Sequence, residues 1–116
     1  TEQPQKSLTP QEIEKKLPDL GLNFIRSGYG QSDYKPSSEN FVVCVFGNQK
    51  LSIDLYENST SDAETIKTIL NLALPTSGNE VYNIVTKPFS SQTITRDGKT
   101  IKLYNDRYSV SVQIFY

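Results

Sequence analysis

A short turn sequence near the C-terminus places the tightest constraint on how this chain folds. Asp97-Gly98 interrupts a stretch in which apolar and polar residues alternate. Asp-Gly is a preferred pair for a type I′ turn, whose two central residues both have positive φ, and such a turn joins two antiparallel strands. A two-residue loop also fixes the register. We therefore expect two cross-strand pairs, Arg96 with Lys99 and Ile94 with Ile101.

A second two-residue turn at Asn105-Asp106 would extend this hairpin to a three-stranded antiparallel meander over residues 92–116. In that register Ile101 pairs with Val110. One face of the meander is then apolar and carries Ile94, Ile101, Leu103, Tyr108, Val110, Val112 and Ile114. The other face is polar and carries Thr95, Thr100, Lys102, Ser109, Ser111 and Gln113. This division is typical of an antiparallel sheet that is covered on one face only.

Composition excludes several classes of site. The 116 residues include no histidine and one cysteine, which excludes histidine-based triads, thiolate zinc cages and an intrachain disulfide. The net charge is −1, and we find no cluster of Lys and Arg that would form a nucleic-acid footprint. The longest apolar run, residues 41–46, is far shorter than the roughly 20 residues that span a bilayer. We expect no nucleic-acid partner, cofactor, metal site or transmembrane segment.

The N-terminal residues 1–8 are polar and unpatterned, a composition typical of a flexible tether. Residues 9–116 have the length of one domain. The sequence begins at Thr1 rather than at a methionine, which we interpret as removal of an upstream segment, either a signal segment or one added for expression. The expectation is an extracytoplasmic protein, with a lipid tether upstream of Thr1 as one form of membrane anchoring.

Two helices are predicted from capping boxes. Thr9-Pro10-Gln11-Glu12 combines such a box with proline at the first helical position and predicts a short helix over residues 10–17. Ser61-Asp62-Ala63-Glu64 is a second box, and the helix it opens has an apolar stripe for packing on a core. The stripe consists of Ile66, Ile69, Leu70, Ala73 and Leu74. Residues 81–85 fit a strand and a further helical turn equally well.

A second hairpin is predicted from residues 41–46 and 51–56, which flank Asn48-Gln49. A two-residue loop would place Val42, Cys44 and Phe46 on the same face as Leu51, Ile53 and Leu55. The opposite face is half apolar and carries Phe41, Val43, Val45, Ser52, Asp54 and Tyr56. We expect the first helix to cover this face or a partner to contact it. Upstream, residues 22–26 form a predicted strand and residues 27–40 a long loop.

The predicted fold class is α+β. An antiparallel sheet, built from two hairpin-based units that include the C-terminal three-stranded meander, carries one long and one short helix packed on it. Each half of the chain has the order of one helix followed by about three strands, which is consistent with an internal αβββ repeat.

Two sequence features that resemble reactive or modified sites have simpler explanations. Cys44 lies in mid-strand among apolar residues, with no histidine to activate it, and we interpret it as buried and inert. Asn58-Ser59-Thr60 matches the N-glycosylation pattern, but it is also the approach to the second helix. The acidic residues show no metal-ligand spacing.

The best binding candidates are aromatic residues. Tyr29 and Tyr34 lie in the predicted Ser/Gly-rich loop, a composition favoured in recognition loops. A mobile loop whose tyrosines pack back on the protein is an equal alternative. Tyr56 and Phe115 lie on the polar faces of their strands, where cross-strand packing is an equal alternative to binding. Val43 lies on the half-apolar face. These five residues form the candidate binding set.

We expect a non-enzymatic binding domain, exported or surface-tethered in the manner of a lipoprotein, that recognises a protein or a surface component. One alternative is a cytoplasmic inhibitor or immunity-type protein that caps a partner's active site. Another is a small carboxylate-dependent hydrolase, which requires at least two carboxylates converging in a pocket with raised pKa values. If the first helix covers the half-apolar face, binding through that face is excluded.

Overall fold

The computed structural model describes residues 6–106 and 109–116 of the chain. Seven strands form one antiparallel sheet, and three helices pack on one of its faces. The strands are β1 (Leu22–Gly28), β2 (Gln31–Pro36), β3 (Phe41–Phe46), β4 (Lys50–Leu55), β5 (Gln92–Arg96), β6 (Lys99–Asn105) and β7 (Val110–Phe115). The helices are α1 (Pro10–Lys16), α2 (Ala63–Ala73) and α3 (Gly78–Val85). The order across the sheet is β1-β2-β3-β4-β7-β6-β5, so β1 and β5 are the edge strands.

The turn at Asp97-Gly98 confirms the prediction for the β5–β6 hairpin. Both residues have positive φ, 51° and 72°, as a type I′ turn requires. Arg96 pairs with Lys99 and Ile94 pairs with Ile101.

The predicted two-residue turn between β6 and β7 is wrong. Asn105 pairs with Val110, and Ile101 pairs with Ile114 rather than with Val110. Four residues, 106–109, therefore connect the strands, and the predicted pairing of residues 107 and 108 lies outside the described residues. The register differs from the prediction by four positions. Because side chains alternate with period two, an even shift leaves the residues of β6 and β7 on their predicted faces.

The predicted register of the β3–β4 hairpin is also wrong, and here the error reverses the faces. Phe46 pairs with Lys50, so the loop has three residues, and it begins at Gly47 with φ 55°. The odd shift turns Val43 into the core, where it pairs with Ile53 and is fully buried. Val43 therefore has no exposed side-chain area for contact with a partner. The helices cover the predicted half-apolar face at Phe41, Val43 and Val45, which excludes binding through it.

The predicted loop over residues 27–40 contains strand β2, which pairs with β1 through a tight turn at Tyr29-Gly30. Both turn residues have positive φ, 53° and 75°. The sequence does not predict this strand, because Tyr34 is its only large apolar residue. It therefore lacks the alternation of apolar and polar residues on which strand prediction depends.

Helix α1 begins with the predicted capping box, in which the Thr9 side chain accepts a hydrogen bond from the Glu12 N–H at 3.2 Å. The second predicted capping box is wrong. The predicted cap, the Ser61 hydroxyl, instead donates to the Asn58 carbonyl at 2.8 Å, and α2 begins without a side-chain cap. The Asp62 side chain accepts hydrogen bonds from Ser38 and Asn40, at 2.7 and 3.0 Å. Asp62 therefore ties the β2–β3 loop to the start of α2.

Residues 81–85, for which strand and helix were equally favoured, belong to helix α3. The internal αβββ repeat is not confirmed. One helix and four strands precede α2, whereas the second part of the chain has two helices and three strands.

The core lies between the helices and one face of the sheet. The predicted α2 stripe is buried: Ile66, Ile69, Leu70, Ala73 and Leu74. The strands contribute buried residues in the alternating pattern, among them Leu51, Ile53, Ile101, Leu103, Val112 and Ile114. Each large apolar side chain that is fully buried stabilises the fold by about 1.5–3 kcal/mol relative to an exposed one. The opposite face of the sheet carries no helix among the described residues.

The end of the predicted N-terminal tether is held against α2. The Ser7 hydroxyl donates to the carbonyl of Ala73 at 2.6 Å, and the Leu8 N–H donates to the carbonyl of Leu72 at 2.9 Å. Residues 1–5 of the tether lie outside the described residues.

Candidate functional site

The structure separates the five predicted binding residues. Val43 is in the core, and Tyr34 lies on the helix-covered face opposite it. Tyr29 is at the tip of the β1–β2 hairpin. Tyr56 and Phe115 are both on the face of the sheet on which the structure describes no helix, and we call this the uncovered face. Phe115 pairs with Lys50 at the start of β4, whereas Tyr56 follows the end of that strand.

Edge strand β1 and its turn carry a concentration of exposed apolar side chains. Phe24 is 56% exposed, Ile25 is 41% exposed, and Tyr29 is fully exposed. We call these three residues the hairpin patch. Half of the large hydrophobic residues that are exposed in the described chain belong to it, the others being Tyr56, Tyr104 and Tyr116. The three residues of the patch follow one another along a single edge strand and its turn, and exposed apolar side chains on an edge strand mark a candidate contact surface.

The backbone at Tyr29 is unfavourable for a bulky side chain. Its φ of 53° is in the left-handed region that glycine, asparagine and aspartate tolerate best. A non-glycine residue held there costs on the order of 1 kcal/mol. Since the ring is fully exposed, packing within the domain does not offset this cost.

Tyr34 supports the hairpin patch from beneath. Its ring meets the ring of Phe24 edge to face, with 5.6 Å between the centroids. Its hydroxyl donates a hydrogen bond to the Glu14 carboxylate on α1 at 2.8 Å. Burial, together with this carboxylate, raises the pKa of Tyr34 to about 12. Tyr34 is therefore a positioning residue for Phe24 rather than an exposed contact.

The one charged side chain between Ile25 and Tyr29 is already paired. Arg26 Nε donates to Asp33 Oδ2 at 2.7 Å, and Gln31 donates to the other oxygen of the same carboxylate at 2.6 Å. Burial raises the pKa of Asp33, but the hydrogen bonds from Arg26, Gln31 and Cys44 outweigh it and lower the pKa. Asp33 is thus an anion that neutralises Arg26, and the patch is largely apolar. A shallow concavity of about 380 Å³ adjoins Phe24 and Ile25.

Cys44 is buried, as predicted. Burial and the nearby Asp33 carboxylate raise the pKa of its thiol to about 12. The nucleophilic thiolate is therefore scarce at neutral pH.

The uncovered face contains a second cluster, which sequence reasoning missed except for Phe115. Lys50 Nζ lies 4.2 Å from the ring centroid of Phe46 and 5.6 Å from that of Phe115. Lys102 Nζ lies 5.2 Å from the Phe115 centroid on the other side. We call these four residues the lysine–aromatic row. Its members come from four different strands, so no local sequence pattern could reveal it.

Tyr56, at the other end of the sheet, lines a cleft of about 500 Å³ together with Leu55, Ser59, Val85 and Asn105. Burial, followed by the Asp54 carboxylate, raises the pKa of Tyr56. The structure does not bring Tyr56 together with the other candidates.

In the part of the chain that the structure describes, every carboxyl group with a shifted pKa has it lowered. Glu12, Asp33, Glu39, Glu80 and Asp97 make up this group. In each of these carboxyl groups, hydrogen bonds to the ionised form determine the direction of the pKa shift. Within residues 6–106 and 109–116, His, Cys, Asp and Glu side chains form no group suited to a metal ion. The same residues contain no helix with the length and apolar character needed to cross a membrane.

Comparisons of the chain with protein-family models, with curated proteins and with solved structures found no match. The function is therefore inferred from the geometry of the described residues alone.

Proposed function

We propose that this chain is a non-enzymatic binding domain that recognises another protein, and that the hairpin patch is its contact surface. Phe24, Ile25 and Tyr29 present apolar area on an edge strand. Aromatic residues are enriched in protein interfaces, because they bury a large area with few rotatable bonds. The partner surface is apolar opposite the patch, since the Arg26 charge is neutralised by Asp33.

The observation that carries the proposal is the conformation of Tyr29. A bulky side chain at positive φ lowers stability, and a fully exposed ring recovers none of that loss within the domain. Contact of the ring with a partner explains its presence. Tyr34 and Glu14 hold Phe24 in place before binding, which lowers the entropic cost of association.

Export and surface tethering remain predictions. The alternative function, a cytoplasmic inhibitor protein, would use the same patch but in a different compartment. Fractionation of cells expressing the full-length protein separates the two, because an inhibitor of a cytoplasmic partner stays in the soluble cytoplasmic fraction. The hydrolase alternative requires carboxylates with raised pKa values, and the downward shifts of the five carboxyl groups above give it no support.

Site-specific photo-cross-linking tests the proposal. A photoreactive phenylalanine analogue replaces Tyr29 in one sample and Tyr104, an exposed tyrosine on β6, in the matched control. The expected result is a defined cross-linked protein in the Tyr29 sample and not in the control. Binding of that protein to the purified domain should weaken at least tenfold, about 1.4 kcal/mol, in Tyr29→Ser. Cross-linking of the same protein at both positions, or at neither, would contradict the assignment of the patch.

A further inference from the structure

The lysine–aromatic row is a continuous feature across the uncovered face. Cross-strand pairs place its members and Thr100 side by side over β3, β4, β7 and β6: Phe46 with Lys50, Lys50 with Phe115, and Phe115 with Thr100. Lys102 follows two residues after Thr100 on the same face. Both phenylalanines and both lysines are half-buried, and Thr100 is exposed.

The two lysines carry positive charge that the domain does not neutralise. Among the described residues, neither Lys50 nor Lys102 lies within 4.0 Å of a carboxylate. The other cations on the described part of this face are paired, Arg26 with Asp33 and Lys35 with Glu39. The row is therefore the positive end of the face.

The acidic groups of the face lie away from the row. Asp54 is four residues beyond Lys50 on the same strand, a separation of about 13 Å along an extended chain. Asp33 is engaged by Arg26 and Gln31. Negative charge on a ligand therefore meets attraction at the row, and the acidic Asp54 and Asp106 lie toward the opposite end of the face.

We infer that the lysine–aromatic row docks an extended acidic segment of a protein. Lys50 and Lys102 are separated by two strand spacings across the sheet and by two residues along a strand. Their backbones are therefore roughly 12 Å apart. Acidic residues four positions apart in an extended chain have a similar separation, about 13 Å. Each lysine then pairs with one carboxylate, while Phe115 between them supplies apolar contact and Thr100 and Gln113 supply hydrogen-bonding groups.

A protein segment fits better than a single-stranded nucleic acid. Backbone affinity for nucleic acid grows with the number of phosphates neutralised, and two lysines neutralise about two, which gives weak binding at physiological salt. The lysines also lie against the phenylalanine rings, so base stacking would first have to displace them. This inference goes beyond the hairpin patch and does not depend on it.

Fluorescence anisotropy with defined probes tests the inference. The probes are a labelled twelve-residue peptide of alternating Glu and Ser, the same peptide with Gln in place of Glu, and a twelve-residue oligothymidylate. We expect the wild type to bind the Glu peptide, with an affinity that falls as salt rises, and to bind the Gln peptide at least tenfold more weakly. The double variant Lys50→Gln, Lys102→Gln should lose about tenfold in affinity for the Glu peptide.

Lys67→Gln is the matched control. Lys67 Nζ also lies over an aromatic ring, 5.1 Å from the Tyr82 centroid, but in the helical layer, so this variant should bind as the wild type does. Three results would overturn the inference: no binding of the Glu peptide by the wild type, equal losses in the double variant and the control, or tighter binding of the oligothymidylate than of the Glu peptide. Circular dichroism of each variant verifies that the fold is retained.

Discussion

The hydroxyl of Tyr34 on β2 donates a hydrogen bond to the carboxylate of Glu14 on α1, and the two oxygens lie 2.8 Å apart. The bond joins the edge hairpin to the helical layer. The same tyrosine ring contacts Phe24, whose exposed face belongs to the hairpin patch. A contact between the two layers thereby fixes the position of a proposed binding residue.

Replacing Tyr34 with phenylalanine should lower the free energy of unfolding by about 1 kcal/mol, because one partly buried hydrogen bond to a charged acceptor is lost while the ring remains. Urea titration at pH 7 measures the loss. Tyr104→Phe is the control, since Tyr104 is an exposed tyrosine with no side-chain hydrogen bond within the described residues. Equal stability of Tyr34→Phe and the wild type would mean that the bond contributes nothing in solution.

Alkaline pH should destabilise the protein through the same tyrosine. The pKa of Tyr34 is about 12 in the folded state, against an ordinary value of 10.0. A raised pKa favours the neutral phenol in the fold, so this contribution to stability is fully present below pH 10 and is lost as the pH rises toward 12. Urea titrations between these limits should show a smaller loss for Tyr34→Phe than for the wild type. Burial also raises the pKa values of Cys44, Tyr116, Tyr56 and Tyr82, and these groups contribute to the remaining loss.

A strand register is predicted correctly from this sequence only where the sequence specifies the length of the loop that joins the strands. Asp97-Gly98 dictates a two-residue loop, and the structure contains it. The loops after Phe46 and Asn105 carry no comparable signal, and both predicted lengths were wrong. An error of four positions left the faces of β7 unchanged, whereas an error of one reversed those of β3.

The candidate sites were predictable to different degrees. Tyr29 was identifiable because a tyrosine beside glycines in a polar segment is typical of an exposed turn. The lysine–aromatic row was not, because Phe46 and Phe115 become neighbours of Lys50 only through the strand order β3-β4-β7. Sequence patterns report local periodicity and contain little information about which distant strands adjoin.

The register of β3 in the structure leads to different predictions for two adjacent valines. Val43 is fully buried, so Val43→Ala should lower the free energy of unfolding by about 2–3 kcal/mol through lost burial and the resulting cavity. Val42 lies on the uncovered face and is half-buried, so Val42→Ala should cost less than about 1 kcal/mol. Chemical denaturation of both variants measures the difference. A larger loss for Val42→Ala than for Val43→Ala would support the register predicted from sequence and contradict the register in the structure.

Two glycines allow a matched test of the type I′ turn. Gly98 has a φ of 72°, and Gly98→Val should destabilise the protein by about 2 kcal/mol, because a β-branched side chain is strongly disfavoured at positive φ. Gly28 in β1 has ordinary φ and no atom within 4 Å of an added Cβ. Gly28→Val should therefore leave the melting temperature unchanged or raise it. Similar melting temperatures for the two variants would refute the turn assignment.

Substitutions at Tyr29 should separate stability from binding. Asparagine is favoured at the first central position of a type I′ turn, so Tyr29→Asn should raise the free energy of unfolding by about 0.5–1 kcal/mol while it removes the proposed contact. Tyr29→Ala is the control, because alanine keeps the unfavourable φ and should lose binding without gaining stability. Urea titration and binding to the cross-linked partner give the two measurements. A less stable Tyr29→Asn would show that the ring packs within the domain, and the argument that its conformation is maintained for a partner would then fail.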